Sequence, residues 1–250
     1  MLIRTVVHCQ TNHSLGTVWR GCKRHISFNK VKKILSSIVR PNSPCLPYTH
    51  VCQIGDPVLR QPAMKVDLES IQTPEFQGVV TDLVEVMRRY HLFGLSAPQI
   101  GLSFQIFAIE QKQEDLEWFS EEMRETQGMK PIPLTIAINP ELKITNYQLI
   151  TEDESCASVH GFTAAVPRYT EVILKALDIK GQPFVLKADG FIARVIQHKY
   201  DHLHGVLYTD KMDTSTLSLS FWEEVNRRQG NIMWSYRPTL KSRFLTAILR

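Results

Sequence analysis

Long apolar runs, dense cysteines and internal repeats are all missing from this 250-residue sequence. No run approaches the ~18 apolar residues of a membrane-spanning helix. The five cysteines include no CxxC pair, which disfavours a disulfide scaffold and makes a reducing compartment the default. Apolar residues make up 43% and charged residues 22% of the chain, as in ordinary globular proteins. We therefore expect one globular domain, with or without a tail, and no membrane span.

Acidic residues are absent from the first part of the chain. Residues 1–55 contain eight of the 29 basic residues and none of the 25 acidic ones. The remainder is therefore mildly acidic, and its charge gives no reason to expect nucleic-acid binding. A basic, acid-free segment with scattered Ser and Thr is typical of a mitochondrial transit peptide; the alternative is a tail that binds RNA or an acidic partner. We expect a leader at 1–50, a body at 51–226 and a basic extension at 227–250.

Two segments of the body have helical periodicity. Apolar residues recur on one face between Phe76 and Met87, and Thr73-Pro74-Glu75 is a typical helix start. Residues 190–204 return to the same period, and Gly205 is a natural helix end. The sequence therefore predicts one amphipathic helix early in the body and one late.

Strand patterns lie between these helices. Phe104–Ile109 and Leu134–Ile138 are apolar and β-rich, and the second is expected to end at Asn139-Pro140. Residues 111–131 are charged and turn-rich, which predicts an exposed excursion. Two further β-rich runs flank Lys180-Gly181-Gln182, a hairpin signal. Short strands together with two amphipathic helices indicate an α+β fold.

Three side chains suggest metal chemistry. His198 and His202 are four residues apart on the predicted late helix, so both imidazoles lie on one face and can share a metal. With Cys156, they would leave one position of a tetrahedral metal open, as in catalytic sites. Taken singly, each has a plainer explanation: surface histidines on a helix, and a small buried cysteine. Gln99 offers an amide donor that could stabilise an oxyanion, although a loop Gln bonded to backbone explains it equally well.

Three ordered segments resemble the motifs of the peptide deformylase family. The family patterns GxGLxAPQ, EGCxS and QHExDH correspond to Leu92–Gln99, Glu154–Ser158 and Gln197–His202. The resemblance extends from about residue 52 to about residue 225, and the basic leader and the GLSAPQ form resemble the mitochondrial branch. It implies an α+β fold in which short antiparallel sheets pack around a central metal-bearing helix.

The resemblance also implies a function. Family members hydrolytically remove the formyl group from the N-terminal formyl-methionine of new polypeptides, here expected in the mitochondrial matrix. The expected partners are N-formyl-Met peptides or nascent chains, with the mitochondrial ribosome as a candidate. The expected cofactor is one divalent metal ion, ferrous iron or in its place zinc, cobalt or nickel, held by Cys156, His198 and His202. Gln99 and the backbone amide of Ala157 would hold the formyl oxygen.

The same resemblance assigns Gly94 and Leu95 to the peptide-binding cleft. The sequence departs from the family at one position. In the family, a glutamate follows the first metal histidine and serves as the general acid and base, whereas here that position is Lys199. A protonated lysine donates hydrogen bonds but accepts no proton. Loss of a positioned acid/base group costs on the order of 10²–10⁴ in rate. Smaller departures are Ser155 and Leu92, which replace motif glycines and would narrow the cleft.

Two interpretations of Lys199 follow. Activity is predicted to be reduced, and the alternative is a catalytically inactive, deformylase-like protein that binds formyl-peptides or another partner. Lys199 could itself replace the missing base, because a buried lysine beside a cation has a lowered pKa and its neutral amine can accept a proton.

Overall fold

The computed structural model describes residues 45–238. Most of the expected leader and the last twelve residues of the expected extension lie outside this range. The described α-helices are Pro74–Arg89 (α1), Gln113–Leu116 (α2), Glu121–Thr126 (α3), Gly190–Leu203 (α4) and Trp222–Arg227 (α5). Short 3-10 turns occupy Pro57–Arg60, Leu68–Ser70, Ala97–Ile100, Tyr208–Asp210 and Thr214–Thr216.

The strands form one antiparallel sheet of six. Its main path runs in chain order through β1 to β5, and β6 pairs with β4. The strands are Gly94–Ser96 (β1), Ile106–Gln111 (β2), Ile132–Cys156 (β3), Val159–Leu177 (β4), Pro183–Asp189 (β5) and Ser218–Leu219 (β6). The hairpin of β4 and β5 turns at Gly181, which has a positive φ, as its sequence predicts.

Helix α1 forms where the apolar periodicity predicts it. The Thr73 hydroxyl accepts a hydrogen bond from the Phe76 amide at 3.3 Å, and Pro74 begins the first turn. The apolar face packs in a core with β1, β2 and part of β3, and its buried residues include Val80, Leu83, Val84 and Met87.

Helix α4 is the central helix of the domain. It packs against β1 to β5, and Ile192, Ala193 and Ile196 lie in a second core with Phe107 of β2 and Leu174 of β4. Its C-terminal end is followed by Gly205 at φ 71, where a Cβ would lie 2.7 Å from the Arg60 carbonyl oxygen. The α+β fold and the predicted late helix are thus confirmed.

One prediction about the connecting segments is wrong. β3 does not end at Asn139-Pro140 but continues to Cys156, because Asn139 adopts a positive φ of 49° at a register shift between β3 and its neighbour. Its side-chain amide bonds both the amide and the carbonyl of Val66, each at 2.8 Å. The excursion at 111–131 is largely exposed, as predicted, but it also contains α2 and α3, and Leu116 anchors it in the interior.

None of the helices in residues 45–238 has the length and hydropathy that are needed to cross a bilayer.

Candidate metal centre

The three predicted metal ligands come together in the interior of the domain. Cys156 ends β3, and His198 and His202 lie one turn apart on α4. The Cys156 Sγ lies 3.3 Å from His202 Nε2, which lies 3.2 Å from His198 Nε2. The three candidate ligand atoms all lie within 4.8 Å of one another, and all three side chains are buried. One soft thiolate and two imidazoles form a donor set that suits a divalent transition metal.

Glu154 orients one of the histidines. Residues 154 and 156 share one face of β3, because side chains alternate along a strand. A Glu154 Oε2 atom lies 3.0 Å from His198 Nδ1, so Nδ1 bears the proton and the Nε2 lone pair faces Cys156 and His202. The Nδ1 of His202 is buried without a hydrogen-bond partner among residues 45–238.

Two arginines neutralise Glu154. Arg168 donates to its two oxygens at 2.8 and 2.9 Å, and Arg194 donates to it at 2.8 Å. Burial alone would raise the pKa of Glu154, but Arg168 and His198 outweigh it and hold the pKa far below its usual range. The network continues to Asp201, which accepts from Arg168 at 2.5 Å and from Lys211 at 2.6 Å.

The cysteine and histidines are poised in different protonation states. Burial would raise the pKa of the Cys156 thiol, but the neighbouring imidazoles of His202 and His198 hold it well below its usual range. Burial lowers the pKa of His202 to about 4. A thiolate and a neutral imidazole are the forms that bind a metal. Burial and Lys199 lower the pKa of His198. The contacts with Cys156 and Glu154 raise it by more, so the net shift is upward.

Gln99 lies beside the thiolate. It belongs to the 3-10 turn Ala97–Ile100, and its Oε1 accepts from the Ser96 amide at 3.1 Å and the Ser96 hydroxyl at 3.2 Å. Its Nε2 therefore points to the other side, 3.1 Å from the Ser158 hydroxyl and 3.6 Å from Cys156 Sγ. Ala157 follows Cys156 in the tight turn between β3 and β4.

Lys199 reaches the same amide from α4. Its Nζ donates to Gln99 Oε1 at 3.0 Å, and the side chain is only 7% exposed. Burial lowers the pKa of Lys199, in opposition to Cys156 and Glu154, which raise it. Within the part of the chain that the structure describes, Lys199 forms no ion pair with a carboxylate.

A cleft of about 810 Å³ opens next to these residues. Its wall includes Cys156, Ala157, His198 and Lys199, together with apolar groups from several elements: Leu92, Phe93, Phe119, Phe191 and Trp222.

Gly94 also lines the cleft, and a Cβ there would lie 3.1 Å from the Ile109 side chain and 3.2 Å from Lys199 Cγ. The Leu95 side chain, by contrast, is fully buried in the core beneath α1. Ser155 and Leu92 both lie in the wall of the cleft.

Residues 48–217 match the family model described as polypeptide deformylase. The chain is also 43% identical over 180 residues to a protein named mitochondrial peptide deformylase from Homo sapiens, covering 72% of this chain and 74% of that one. The chain belongs to the peptide deformylase family. A relative from Solanum lycopersicum, named chloroplastic peptide deformylase 1A, is 38% identical over 66% of this chain and 60% of its own.

Solved peptide deformylases share the fold. One from Synechococcus elongatus, in complex with actinonin, is 28% identical, with a TM-score of 0.56 over 77% of this chain and 92% of its own. One from Acinetobacter baumannii matches at 22% identity and a TM-score of 0.57, over 68% of this chain and 100% of its own. Peptide deformylases use a divalent metal ion, and Cys156, His198 and His202 form a possible site for it here. The names of the relatives indicate a deformylase of the organellar, mitochondrial type.

Sequence reasoning missed the charged network behind the ligands. Glu154, Arg168 and Asp201 each fall within a segment that resembles the family, yet the motifs alone give them no role. One signal was present for Glu154, since it stands two residues before Cys156 on a strand and therefore shares its face. No local signal pairs it with Arg168 and Arg194, which are 14 and 40 residues away.

Proposed function

We propose that this chain hydrolytically removes the formyl group from N-terminal formyl-methionine of newly made mitochondrial polypeptides, at a rate reduced by Lys199. Its membership of the peptide deformylase family and the convergence of Cys156, His198 and His202 support the reaction class. The observation that carries the reduced rate is the lysine beside an otherwise complete ligand set.

The residues present fit a divalent metal ion. Cys156, His198 and His202 would hold it, with ferrous iron as the native ion and zinc, cobalt or nickel as substitutes. When bound, it would supply Lewis acidity to polarise a carbonyl oxygen and to acidify a water molecule. Glu154 keeps the His198 Nε2 lone pair available by fixing the proton on Nδ1.

Gln99 and Ala157 are proposed to bind the formyl oxygen. The Gln99 amide is held by Ser96 and Lys199 so that its Nε2 faces Cys156. A donor that is already oriented stabilises developing negative charge without having to reorganise. Gly94 and the backbone of Leu95 would align the peptide, since Gly94 lines the cleft and a side chain there would crowd Ile109 and Lys199.

Proton transfer is the weak step. Hydrolysis of a formamide needs a group that takes a proton from water and gives one to the departing amine. The Glu154 carboxylate of β3 lies close to the site, but it already accepts hydrogen bonds from Arg168, Arg194 and His198 and is therefore a poor proton acceptor. Lys199 donates to Gln99 and can act as a base only in its neutral form. We therefore propose slow turnover. The alternative function is an inactive module that binds formyl-peptides.

Further parts of the proposal concern location and partners. The acid-free leader supports import into the mitochondrial matrix, where nascent chains at the ribosome would present formyl-methionine. We retain the division into a leader at 1–50, a deformylase domain at 51–226 and an extension at 227–250.

The test uses the cobalt-loaded full chain and a formyl-Met tripeptide. We expect stoichiometric metal and measurable formate release in the parent, and loss of both in Cys156→Ala. The matched control is Cys52→Ala, which removes a second buried cysteine whose thiol pKa burial and Asp56 raise to about 12. A parent that binds metal and peptide but releases no formate would favour the binding module. A parent without metal would contradict the proposal.

A further inference from the structure

The chain continues beyond the residues that match the family, and this continuation returns to the domain. We call residues 228–238, which follow α5, the C-terminal strap. Its Tyr236 carbonyl accepts a hydrogen bond from the Tyr90 hydroxyl at 2.9 Å, just after the end of α1. The strap therefore connects α5 to the end of α1.

Trp234 of the strap packs on the first residues of β4, next to the connection between β3 and β4. Gly161 has a φ of +87°, and a Cβ there would lie 2.3 Å from Trp234 Cη2. The indole also packs edge-on against His160, with ring centroids 4.9 Å apart, and lies 4.4 Å from the Phe221 ring. The indole therefore occupies the space that only a glycine at 161 leaves open.

The contacts of Trp234 lie next to the candidate metal centre. We define the turn after Cys156 as residues 157–161, which are the two-residue connection between β3 and β4 and the first three residues of β4, and it includes the Ala157 amide. In addition, Gln53 Nε2 donates to the Ala157 carbonyl at 2.8 Å, and the His160 amide donates to Gln53 Oε1 at 3.3 Å. Both Gln53 and Trp234 thus contact this segment.

The strap also supports one wall of the cleft. Ser220 donates its amide to the Gly161 carbonyl at 2.8 Å, and both Ser220 and Trp222 line the cleft. Phe221, between them, turns its ring towards Trp234 instead. The same indole therefore contacts both the turn after Cys156 and the segment that forms the wall.

We propose that Trp234 is a positioning residue that holds the turn after Cys156, so that the strap preorganises the metal centre and the proposed oxyanion donor. Its effect passes through His160, Gly161 and Phe221 rather than through contact with substrate. The neighbouring Met233 is 97% exposed, whereas Trp234 is 38% exposed, so the two residues form a matched pair for mutation.

The first test is amide hydrogen exchange in the metal-free full chain, which does not depend on the proposed function. We expect Trp234→Ala to speed exchange at residues 157–161 by about 10-fold or more, while the amides of α4 keep their parent rates. Met233→Ala should leave both regions unchanged, and Trp234→Phe should restore part of the protection. Unchanged exchange at the turn, or an equal loss across α4, would overturn the proposal.

The second test measures Co²⁺ affinity and the thiolate-to-cobalt absorption band. Displacing groups that orient metal ligands costs 10–100-fold in affinity, so we expect about 10-fold weaker binding in Trp234→Ala and parent affinity in Met233→Ala. Parent affinity in Trp234→Ala would contradict the positioning role. A parent that binds no Co²⁺ would refute the proposed function, and the exchange result would still decide the role of the strap.

Discussion

Glu154 and Lys199 are both buried charged side chains beside His198, but their surroundings differ. Glu154 accepts hydrogen bonds from Arg168 and Arg194 as well as from His198. Lys199 donates to the neutral amide of Gln99, and in residues 45–238 no carboxylate pairs with it. A buried charge is stable when opposite charges compensate its desolvation, and costly when they do not. We therefore expect Glu154 to stabilise the folded state and Lys199 to destabilise it or to leave its stability unchanged.

The largest effect on stability is expected on the Glu154 side. Glu154→Gln removes a carboxylate that two buried arginines share, while Arg168 keeps Asp201 and Arg194 keeps Glu152, and it should lower the free energy of unfolding by about 3 kcal/mol, measured by urea denaturation of the metal-free chain. Lys130→Ala, which breaks an ion pair with Asp189 in which both side chains are exposed, is the control and should cost less than about 1 kcal/mol. An equal loss of unfolding free energy in Glu154→Gln and Lys130→Ala would show that the buried Glu154 network contributes no more than an exposed ion pair.

Removal of the Lys199 amine should not lower the stability of the fold. Lys199→Met keeps the length and apolar stem but removes the buried amine, and Gln99 Oε1 retains both of its bonds from Ser96. We expect the metal-free variant to be as stable as the parent or more stable by about 1–2 kcal/mol in the same urea experiment. A loss of 2 kcal/mol or more would show that Lys199 supports the fold.

A smaller effect is expected in the pH dependence. Burial lowers the pKa of Lys199 below its ordinary 10.5 in the folded chain, so the unfolded chain binds more protons. Stability rises with pH wherever the unfolded state binds more protons. The parent should therefore gain stability relative to Lys199→Met as the pH rises from neutral towards about 10. A difference that stays flat or falls over this range would mean that the folded pKa is not lowered.

The parts of the fold that depend on local patterns could be predicted from the sequence. The apolar face of α1, its Thr73 cap and the 198/202 spacing on α4 all depend on neighbours within a few residues. The continuation of β3 through Asn139 could not be predicted, because it depends on a bond to Val66, 73 residues away. Strand-breaking residues mark a strand end only when no distant partner satisfies their backbone.

The candidate site divides in the same way. Motif order was enough to identify the three candidate ligands and the position of Lys199. It could not predict the bond between Lys199 and Gln99, which are 100 residues apart, because register and packing bring them together. Nor could it predict the contact of Trp234 with Gly161, since residue 234 lies beyond the part that matches the family.

The most direct test of the central claim compares formate release by the parent and by Lys199→Glu, each loaded with Co²⁺ to equal occupancy. Lys199→Glu restores a carboxylate at the family's acid/base position, so we expect kcat/KM to rise by about 10²-fold or more. Lys187→Glu makes the same charge change at an exposed position of β5 and should leave the rate unchanged. A parent already as fast as Lys199→Glu would contradict the account and show that Lys199 works as a base.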